Sequence, residues 1–126
     1  MQTSIRVLIV DDEADFALAL SRRLRRLGAS VNTASNAVDA YEILETDPMD
    51  VVLLDMNMPD LNGLETLKII RRNFGGVGVI LLTGGGDMSK AMQAMKAGAF
   101  DYLHKPVPLD RLWEKIRNMA GTKPHS

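Results

Sequence analysis

Five short apolar segments recur along the chain, and each is followed by a stretch in which apolar residues repeat at helical spacing. The segments begin 25, 21, 26 and 23 residues apart, which leaves room for one strand and one helix in each interval. This alternation predicts an α/β fold in which a five-stranded parallel sheet is covered by helices on both faces. The expected strands are Ile5–Val10, Ser30–Ala34, Val51–Leu54, Val77–Leu82 and Phe100–His104.

The helical stretches carry residues that are typical of helix ends. Asn36 and Asp87 are predicted N-caps, because their side chains can accept a hydrogen bond from a free backbone N–H group. Gly28 and Gly98 are predicted C-terminal caps, because glycine tolerates the left-handed backbone conformation. The expected helices are residues 15–27, the stretch from Asn36 to Asp47, residues 63–73, the stretch from Asp87 to Gly98, and the stretch that follows Pro108.

The size and charge of the chain limit the possible classes of protein. With 126 residues the chain fits one domain, which we assign to residues 1–120, followed by a tail or the start of a linker at 121–126. The net charge of −1 gives no reason to expect nucleic acid or an acidic membrane as a partner. The absence of cysteine excludes disulfides and thiol catalysis and is compatible with a cytoplasmic location. No apolar run approaches the ~18 residues of a membrane span, and we recognise no secretory signal.

Informative polar residues follow four of the five predicted strands directly. The first strand leads into Asp11, Asp12 and Glu13, and the third leads into Asp55. The fourth leads into Thr83, and the fifth leads into Lys105. The carboxyl ends of parallel strands share one edge, and open α/β folds bind ligands there. In the flavodoxin-like strand order 2-1-3-4-5 the first and third strands are neighbours, so the three aspartates would meet.

Two interpretations of these residues are possible. Three crowded carboxylates require raised pKa values or a cation, and Mg²⁺ suits a site with oxygen ligands and few protein groups. A phosphoryl group on Asp55 would also need a hydroxyl donor and a cation, which Thr83 and Lys105 can supply. In the structural alternative, Asp12 and Asp15 only cap and charge the first helix, and Thr83 and Lys105 are ordinary edge and surface residues.

The motif set resembles the receiver domain of two-component response regulators, with CheY-like topology. It consists of Asp11-Asp12, Asp55-Met-Asn-Met-Pro-Asp-Leu-Asn-Gly63, Thr83-Gly84 and Lys105-Pro106. The resemblance covers nearly the whole chain and is greatest to receivers of the nitrogen-regulator class, especially over residues 91–102.

The resemblance implies a role for each motif residue. Asp55 would be the phosphoacceptor. Mg²⁺ would be held by Asp12, Asp55 and the backbone carbonyl of Asn57, with Asp11 assisting through water. The residues that would contact the phosphoryl group are Thr83, Gly84 and Lys105. The Lys105-Pro106 peptide bond would be cis, as it commonly is in the family.

The resemblance also implies a conformational switch. Tyr102 stands where the family carries an aromatic residue that turns inward as Thr83 moves towards the phosphoryl group, although a half-buried structural tyrosine is the alternative. The output face would comprise the fourth helix, the fifth strand and the fifth helix with Trp113. Most methionines of the fourth helix are expected in the core because they recur at helical spacing; they are Met88, Met92 and Met95.

The implied partners are a histidine kinase or phosphotransfer protein, which donates the phosphoryl group, and an output protein or domain. A second copy in a phosphorylation-dependent dimer is a further possible partner. Four arginines near the end of the first helix are either a solvated face or a docking surface for an acidic partner; they are Arg22, Arg23, Arg25 and Arg26.

Three other functions compete with this interpretation. A magnesium-dependent phosphatase with an aspartyl nucleophile needs a second carboxylate as general acid, whereas Asn57 stands two residues after Asp55. A flavin carrier needs a phosphate loop rich in Ser, Thr and Gly, whereas acids follow the first strand. A receiver-like adaptor would bind partners without phosphorylation, although no acceptor-site residue is missing. We therefore predict a signalling domain and no enzymatic activity beyond self-phosphorylation and slow dephosphorylation.

Overall fold

Five parallel strands form one sheet in the order β2-β1-β3-β4-β5, in a computed structural model that describes residues 4–59, 62–84 and 88–121. The predicted flavodoxin-like topology is confirmed. The strands are β1 (Arg6–Val10), β2 (Ser30–Ala34), β3 (Val51–Asp55), β4 (Gly78–Thr83) and β5 (Asp101–His104). Every residue of β3 is buried, as expected for a central strand with helices on both faces.

A helix follows each strand. The helices are α1 (Ala14–Arg26), α2 (Ala37–Thr46), α3 (Gly63–Asn73), α4 (Met88–Lys96) and α5 (Leu109–Gly121). None of them is long and apolar enough to cross a membrane, within the three segments that the structure describes.

The ends of α1 and α2 match the predicted capping residues. Gly28 has a φ of 103°, and its N–H group donates to the Arg25 carbonyl. The N–H group of Ala29 donates to the Leu24 carbonyl, which completes the paired hydrogen bonds of a Schellman motif. At the start of α2, the Asn36 side chain accepts a hydrogen bond of 2.8 Å from the N–H group of Asp39.

The core has two layers, because alternate residues of each strand point to opposite faces of the sheet. Helices α1 and α5 cover the face that carries Val7, Leu53 and Ile80. Helices α2, α3 and α4 cover the face that carries Leu8 and Leu81. The carboxyl ends of β1, β3, β4 and β5 therefore lie between two helical layers, and this edge of the sheet holds the polar residues singled out above.

The prediction that most methionines of α4 lie in the core is wrong. Met88 is 45% exposed and Met92 is 52% exposed, whereas the small side chains of Ala91 and Ala94 are buried. The buried alanines therefore form the inward side of α4, and its methionines face outward or lie at the boundary. Helical spacing alone could not distinguish the alanine stripe from the methionine stripe, because both repeat along the same helix.

Some predicted features lie outside the described residues. These are the N-cap Asp87, part of the loop after Asp55 (Asp60 and Leu61), the glycines Gly85 and Gly86, and the tail from Thr122 to Ser126.

Candidate functional site

Three carboxylates converge where β1 and β3 end. These strands are neighbours in the sheet, with Val10 paired to Leu54, so the residues that follow each of them also lie side by side. One ligand oxygen from each of Asp11, Asp12 and Asp55 can be chosen so that all three lie within 4.8 Å of one another. The sequence prediction that these acids meet therefore agrees with the geometry.

Two of the three acids are buried, and this affects the pKa of the central one. Asp11 is 2% exposed and Asp55 is 1% exposed, whereas Asp12 is exposed. Burial raises the pKa of Asp55 above its ordinary value, and the charge of Asp11 adds to the rise. The N–H group of Asn57, 3.0 Å from Asp55 Oδ1, and the charge of Lys105 oppose this effect on the pKa without cancelling it.

Lys105 supplies the positive charge at the centre of the site. Its Nζ atom lies 3.0 Å from Asp11 Oδ2, 3.3 Å from Glu13 Oε1 and 3.4 Å from Asp55 Oδ2. The ammonium also lies 4.2 Å from the ring centroid of Phe16, a cation–π contact. Burial lowers the pKa of Lys105, but the hydrogen bond to Asp11 and the charge of Asp55 outweigh it, and the pKa is raised. The side chain therefore stays cationic.

The backbone next to Lys105 fixes where its side chain begins. The Lys105-Pro106 peptide bond is cis. The N–H group of Lys105 donates to the carbonyl of Thr83 at 2.7 Å, which joins the ends of β5 and β4. From this position the lysine side chain extends across the sheet edge to two acids. Asp11 directly follows β1, and Asp55 is the last residue of β3.

Thr83 and Tyr102 lie on the other side of the sheet edge. The Thr83 hydroxyl is hydrogen-bonded to Nδ1 of His104 at 2.9 Å. Tyr102 is half-buried against the core layer of α2, α3 and α4, and its ring meets the His104 ring edge to face at a centroid distance of 5.6 Å. The two predicted switch residues are thus connected through one histidine.

Two loops approach each other beside Asp55. A Cβ atom on Gly84 would clash with the side-chain amide of Asn57, so glycine allows the end of β4 to approach the loop after β3. The N–H group of Met56 donates to the Leu82 carbonyl within the sheet. The N–H group of Asn57 is therefore the loop donor directed at the carboxylate of Asp55.

The start of α1 tests the structural alternative for the acids. The N-cap residue of this helix is Glu13, and it makes no side-chain capping hydrogen bond. Asp11 Oδ1 accepts a hydrogen bond from the N–H group of Glu13 at 2.9 Å. Asp15 lies in the first turn, where a negative charge is favourable. The prediction that Asp12 caps α1 is thus wrong. The prediction that Asp15 places a favourable negative charge at the start of this helix agrees with its position.

The carboxylate cluster has the composition of a magnesium site. Its donors are hard oxygens, and one of the acids faces solvent, where water ligands can complete a coordination shell. Burial and, to a smaller extent, the charge of Asp11 raise the pKa of Asp55, and a bound cation would favour its charged form. The residues present therefore fit a divalent cation.

The sequence interpretation assigned no role to three residues that contact the site. Glu13 and Phe16 pack on the Lys105 ammonium, and His104 binds Thr83. Glu13 is among the polar residues that follow the first strand, and its place beside the acid pair is the signal that the sequence offered. His104 precedes Lys105 and shares a strand face with Tyr102, which is the signal that the sequence offered.

A doubly wound sheet with an acid trio and a lysine at its carboxyl edge defines the receiver class of signalling domains. Residues 7–117 match the family described as the response regulator receiver domain, and the chain belongs to this family.

Similar proteins agree with this membership. The chain is 40% identical over 111 residues to the response regulator protein PilR of Pseudomonas aeruginosa, covering 88% of this chain and 25% of that protein. It is 38% identical over 104 residues to the DNA-binding transcriptional regulator NtrC of Proteus hauseri, covering 82% of this chain and 22% of that protein. The predicted resemblance to nitrogen-regulator receivers is confirmed. The chain spans about a quarter of the length of these two relatives.

A solved structure shows the same fold. A response regulator from Burkholderia pseudomallei, determined with a phosphorylated aspartic acid, a calcium ion and citrate, matches with a TM-score of 0.85 and 26% identity. The match covers 94% of this chain and 69% of that one.

Proposed function

We propose that Asp55 accepts a phosphoryl group from a phosphohistidine of a histidine kinase or phosphotransfer protein, and that this changes the output face of the domain. The proposal rests on one observation, the clustering of three carboxylates and an ammonium group. Oxygens of Asp11, Asp12 and Asp55 lie within 4.8 Å of one another, and Lys105 Nζ lies 3.4 Å from Asp55 Oδ2. The phosphorylated aspartic acid of the Burkholderia pseudomallei structure is a precedent in the same fold.

The transfer exchanges one phosphorus bond for another. A carboxylate oxygen of Asp55 attacks the phosphorus atom, the phosphorus–nitrogen bond breaks, and the electron pair returns to the imidazole of the donor. Lys105 stays near the acceptor and supplies positive charge to the phosphoryl oxygens. The N–H group of Asn57 loses part of its bond to Asp55 and becomes available to the new oxygens.

Mg²⁺ is the proposed cofactor. Asp12, Asp55 and the backbone carbonyl of Asn57 would hold it, with Asp11 assisting through water. When bound, the ion neutralises part of the charge of the acceptor and the phosphoryl group. Asp12 is the exposed member of the cluster and is accessible to the incoming ion.

The proposed switch uses Thr83 and Tyr102. Thr83 would leave His104 and donate to a phosphoryl oxygen, Gly84 would contribute backbone contacts, and Tyr102 would move inward. Two conformations that differ by a few kcal/mol would then be re-weighted, since a ligand shifts a population by its difference in affinity for the two states.

The proposed output face comprises α4, β5 and α5. Met88 and Met92 of α4 are exposed apolar residues, as is Phe100 directly before β5, and all three suit contact with an output protein, an output domain or a second copy. The exposed arginines at the end of α1 would help to dock the phosphoryl donor. We expect a cytoplasmic protein with no direct contact to nucleic acid or membrane, and no turnover beyond its own phosphorylation and dephosphorylation.

Intact-mass spectrometry after incubation with Mg²⁺ and acetyl phosphate tests the proposal. We expect one phosphoryl adduct on the parent chain and on an Asp15→Asn control, none on Asp55→Asn, and none in excess EDTA. An absent adduct together with undetectable Mg²⁺ binding would support the unphosphorylated adaptor. Continuous release of phosphate without a trapped adduct would support the phosphatase.

A further inference from the structure

His104 contacts both residues of the proposed switch. It ends β5 and pairs in register with Thr83, which ends β4. The Thr83 hydroxyl and His104 Nδ1 are hydrogen-bonded at 2.9 Å. The same imidazole meets the Tyr102 ring at an interplanar angle of 81°. Threonine, histidine and tyrosine thus form a continuous chain of contacts on the α4 side of the sheet.

The hydrogen bond turns the Thr83 hydroxyl away from the acceptor. Strand β4 lies between β3, which ends in Asp55, and β5, which ends in His104. A hydroxyl bonded to His104 therefore points towards β5, on the opposite side of its strand from Asp55. To reach a phosphoryl oxygen on Asp55, Thr83 must rotate to another side-chain rotamer, and this rotation breaks the bond to His104.

We propose that His104 is a positioning residue that holds Thr83 in its unphosphorylated orientation and links it mechanically to Tyr102. The inference rests on the proposed phosphorylation of Asp55. The hydrogen bond exists only in the unphosphorylated conformation, so it stabilises that conformation and opposes the switch. Release of Thr83 also frees the imidazole that packs against Tyr102, which lets both aromatic rings move together.

The expected effect is small because the imidazole is exposed. Water can replace Thr83 at Nδ1 after the rotation, so the net loss is that of one partly buried hydrogen bond whose histidine partner is exposed. Removing it should shift the conformational equilibrium, and the affinity for a phosphoryl mimic, by about two- to fivefold. A contact of this strength adjusts the threshold of the switch without blocking it.

The test is a double-mutant cycle read out as the affinity for beryllofluoride in the presence of Mg²⁺. His104→Phe keeps a planar ring beside Tyr102 but cannot bond Thr83, and Thr83→Val keeps the shape of the side chain without its hydroxyl. We expect His104→Phe to bind beryllofluoride about two- to fivefold more tightly than the parent. The same change in a Thr83→Val background should have no effect, because the bond is already absent.

Two further variants keep the test decisive. His104→Asn can place a polar atom near the position of Nδ1 and should retain the parent affinity. If the His104→Phe chain does not fold, His104→Val replaces it in the cycle and should show the same gain of about two- to fivefold, because it also lacks the bond to Thr83. Equal affinities for the parent and His104→Phe, weaker binding by His104→Phe, or the same gain in both Thr83 backgrounds would overturn the role of His104. Failure of the parent itself to bind beryllofluoride would instead count against phosphorylation of Asp55.

Discussion

The ammonium group of Lys105 lies 3.0 Å from a carboxylate oxygen of Asp11, although the two residues are 94 positions apart in the chain. The contact spans the carboxyl edge from the loop after β5 to the loop after β1. The Asp11 side chain is fully buried and that of Lys105 is 16% exposed, so neither charge is well solvated. The ion pair therefore stabilises the buried acids in the unphosphorylated chain, at the position where a phosphoryl group would bind.

Replacement of this lysine should destabilise the fold. In Lys105→Met a long apolar side chain remains, but the cation–π contact with Phe16 is lost and Asp11 and Asp55 lose their cation. We expect a loss of about 2 kcal/mol in the free energy of unfolding, because a buried carboxylate without a partner is costly. Urea denaturation without divalent cations measures the loss. Added Mg²⁺ should restore more stability to this variant than to the parent, and an equal response would contradict a shared role in neutralisation.

A second lysine provides the matched control. Lys115 forms an ion pair with Asp101, and both side chains are more exposed than those of Lys105 and Asp11. Lys115→Met should therefore cost no more than about 1 kcal/mol, as is usual for surface pairs.

Asp55→Asn should stabilise the chain at neutral pH when no divalent cation is present. Burial and the charge of Asp11 raise the pKa of Asp55 above 3.8, so the folded state holds this proton more tightly than the unfolded chain. The contribution of Asp55 to the free energy of unfolding is thus highest below pH 3.8. It falls as the pH rises through the pKa that Asp55 has in the folded state. The asparagine removes the charge and can still accept from the N–H group of Asn57, and we expect a gain of about 1 kcal/mol.

The pH dependence distinguishes this explanation from a general packing effect. Chemical denaturation of the parent and Asp55→Asn across the acidic and neutral range should show a difference that shrinks as the pH falls towards 3.8. A difference that is constant with pH would mean that charge is not its origin. Saturating Mg²⁺ should reduce the advantage of Asp55→Asn, since the cation stabilises only the chain that retains the acceptor carboxylate.

The sequence predicted the sheet well because its three central strands, β1, β3 and β4, are largely buried on both faces and so are nearly continuous apolar runs. Val51 to Leu54 lead directly to Asp55, and a parallel topology then places that acid beside those that follow β1. The site could be predicted from the sequence for the same reason. Its residues lie at strand ends, where the position in the chain determines the position at the sheet edge.

The contacts between side chains could not be predicted in the same way. The bond between His104 and Thr83 depends on which rotamer the threonine adopts, and the sequence does not specify it. The outward position of Met92 depends on which side of α4 faces the core, and Ala91 and Ala94 occupy that side. The periodicity of this helix indicates a methionine stripe and an alanine stripe, but it does not show which of the two is buried.

A pair of identical substitutions tests the environment of the methionines. Met92→Gln should change the free energy of unfolding by less than about 0.5 kcal/mol, because the side chain is largely exposed. Met119→Gln should cost about 2 kcal/mol or more, because it places an amide in a site that is 2% exposed. Thermal denaturation compares the two directly. Similar losses for both would indicate that α4 turns its methionines inward in solution.

Asp12 and Asp15 offer the sharpest test of the metal site. Both are exposed and lie three residues apart, so their alanine variants remove the same charge from nearly the same region. Asp12 belongs to the oxygen cluster with Asp11 and Asp55, whereas Asp15 charges the first turn of α1. Asp12→Ala should weaken Mg²⁺ binding by at least about tenfold through the loss of a ligand oxygen. Asp15→Ala should weaken Mg²⁺ binding by no more than about twofold, through long-range charge that salt screens.

Isothermal titration with Mg²⁺ at two ionic strengths separates these effects, because the loss of a ligand persists at high salt. Equal weakening in the two variants would show that the cluster attracts cations only by its net charge.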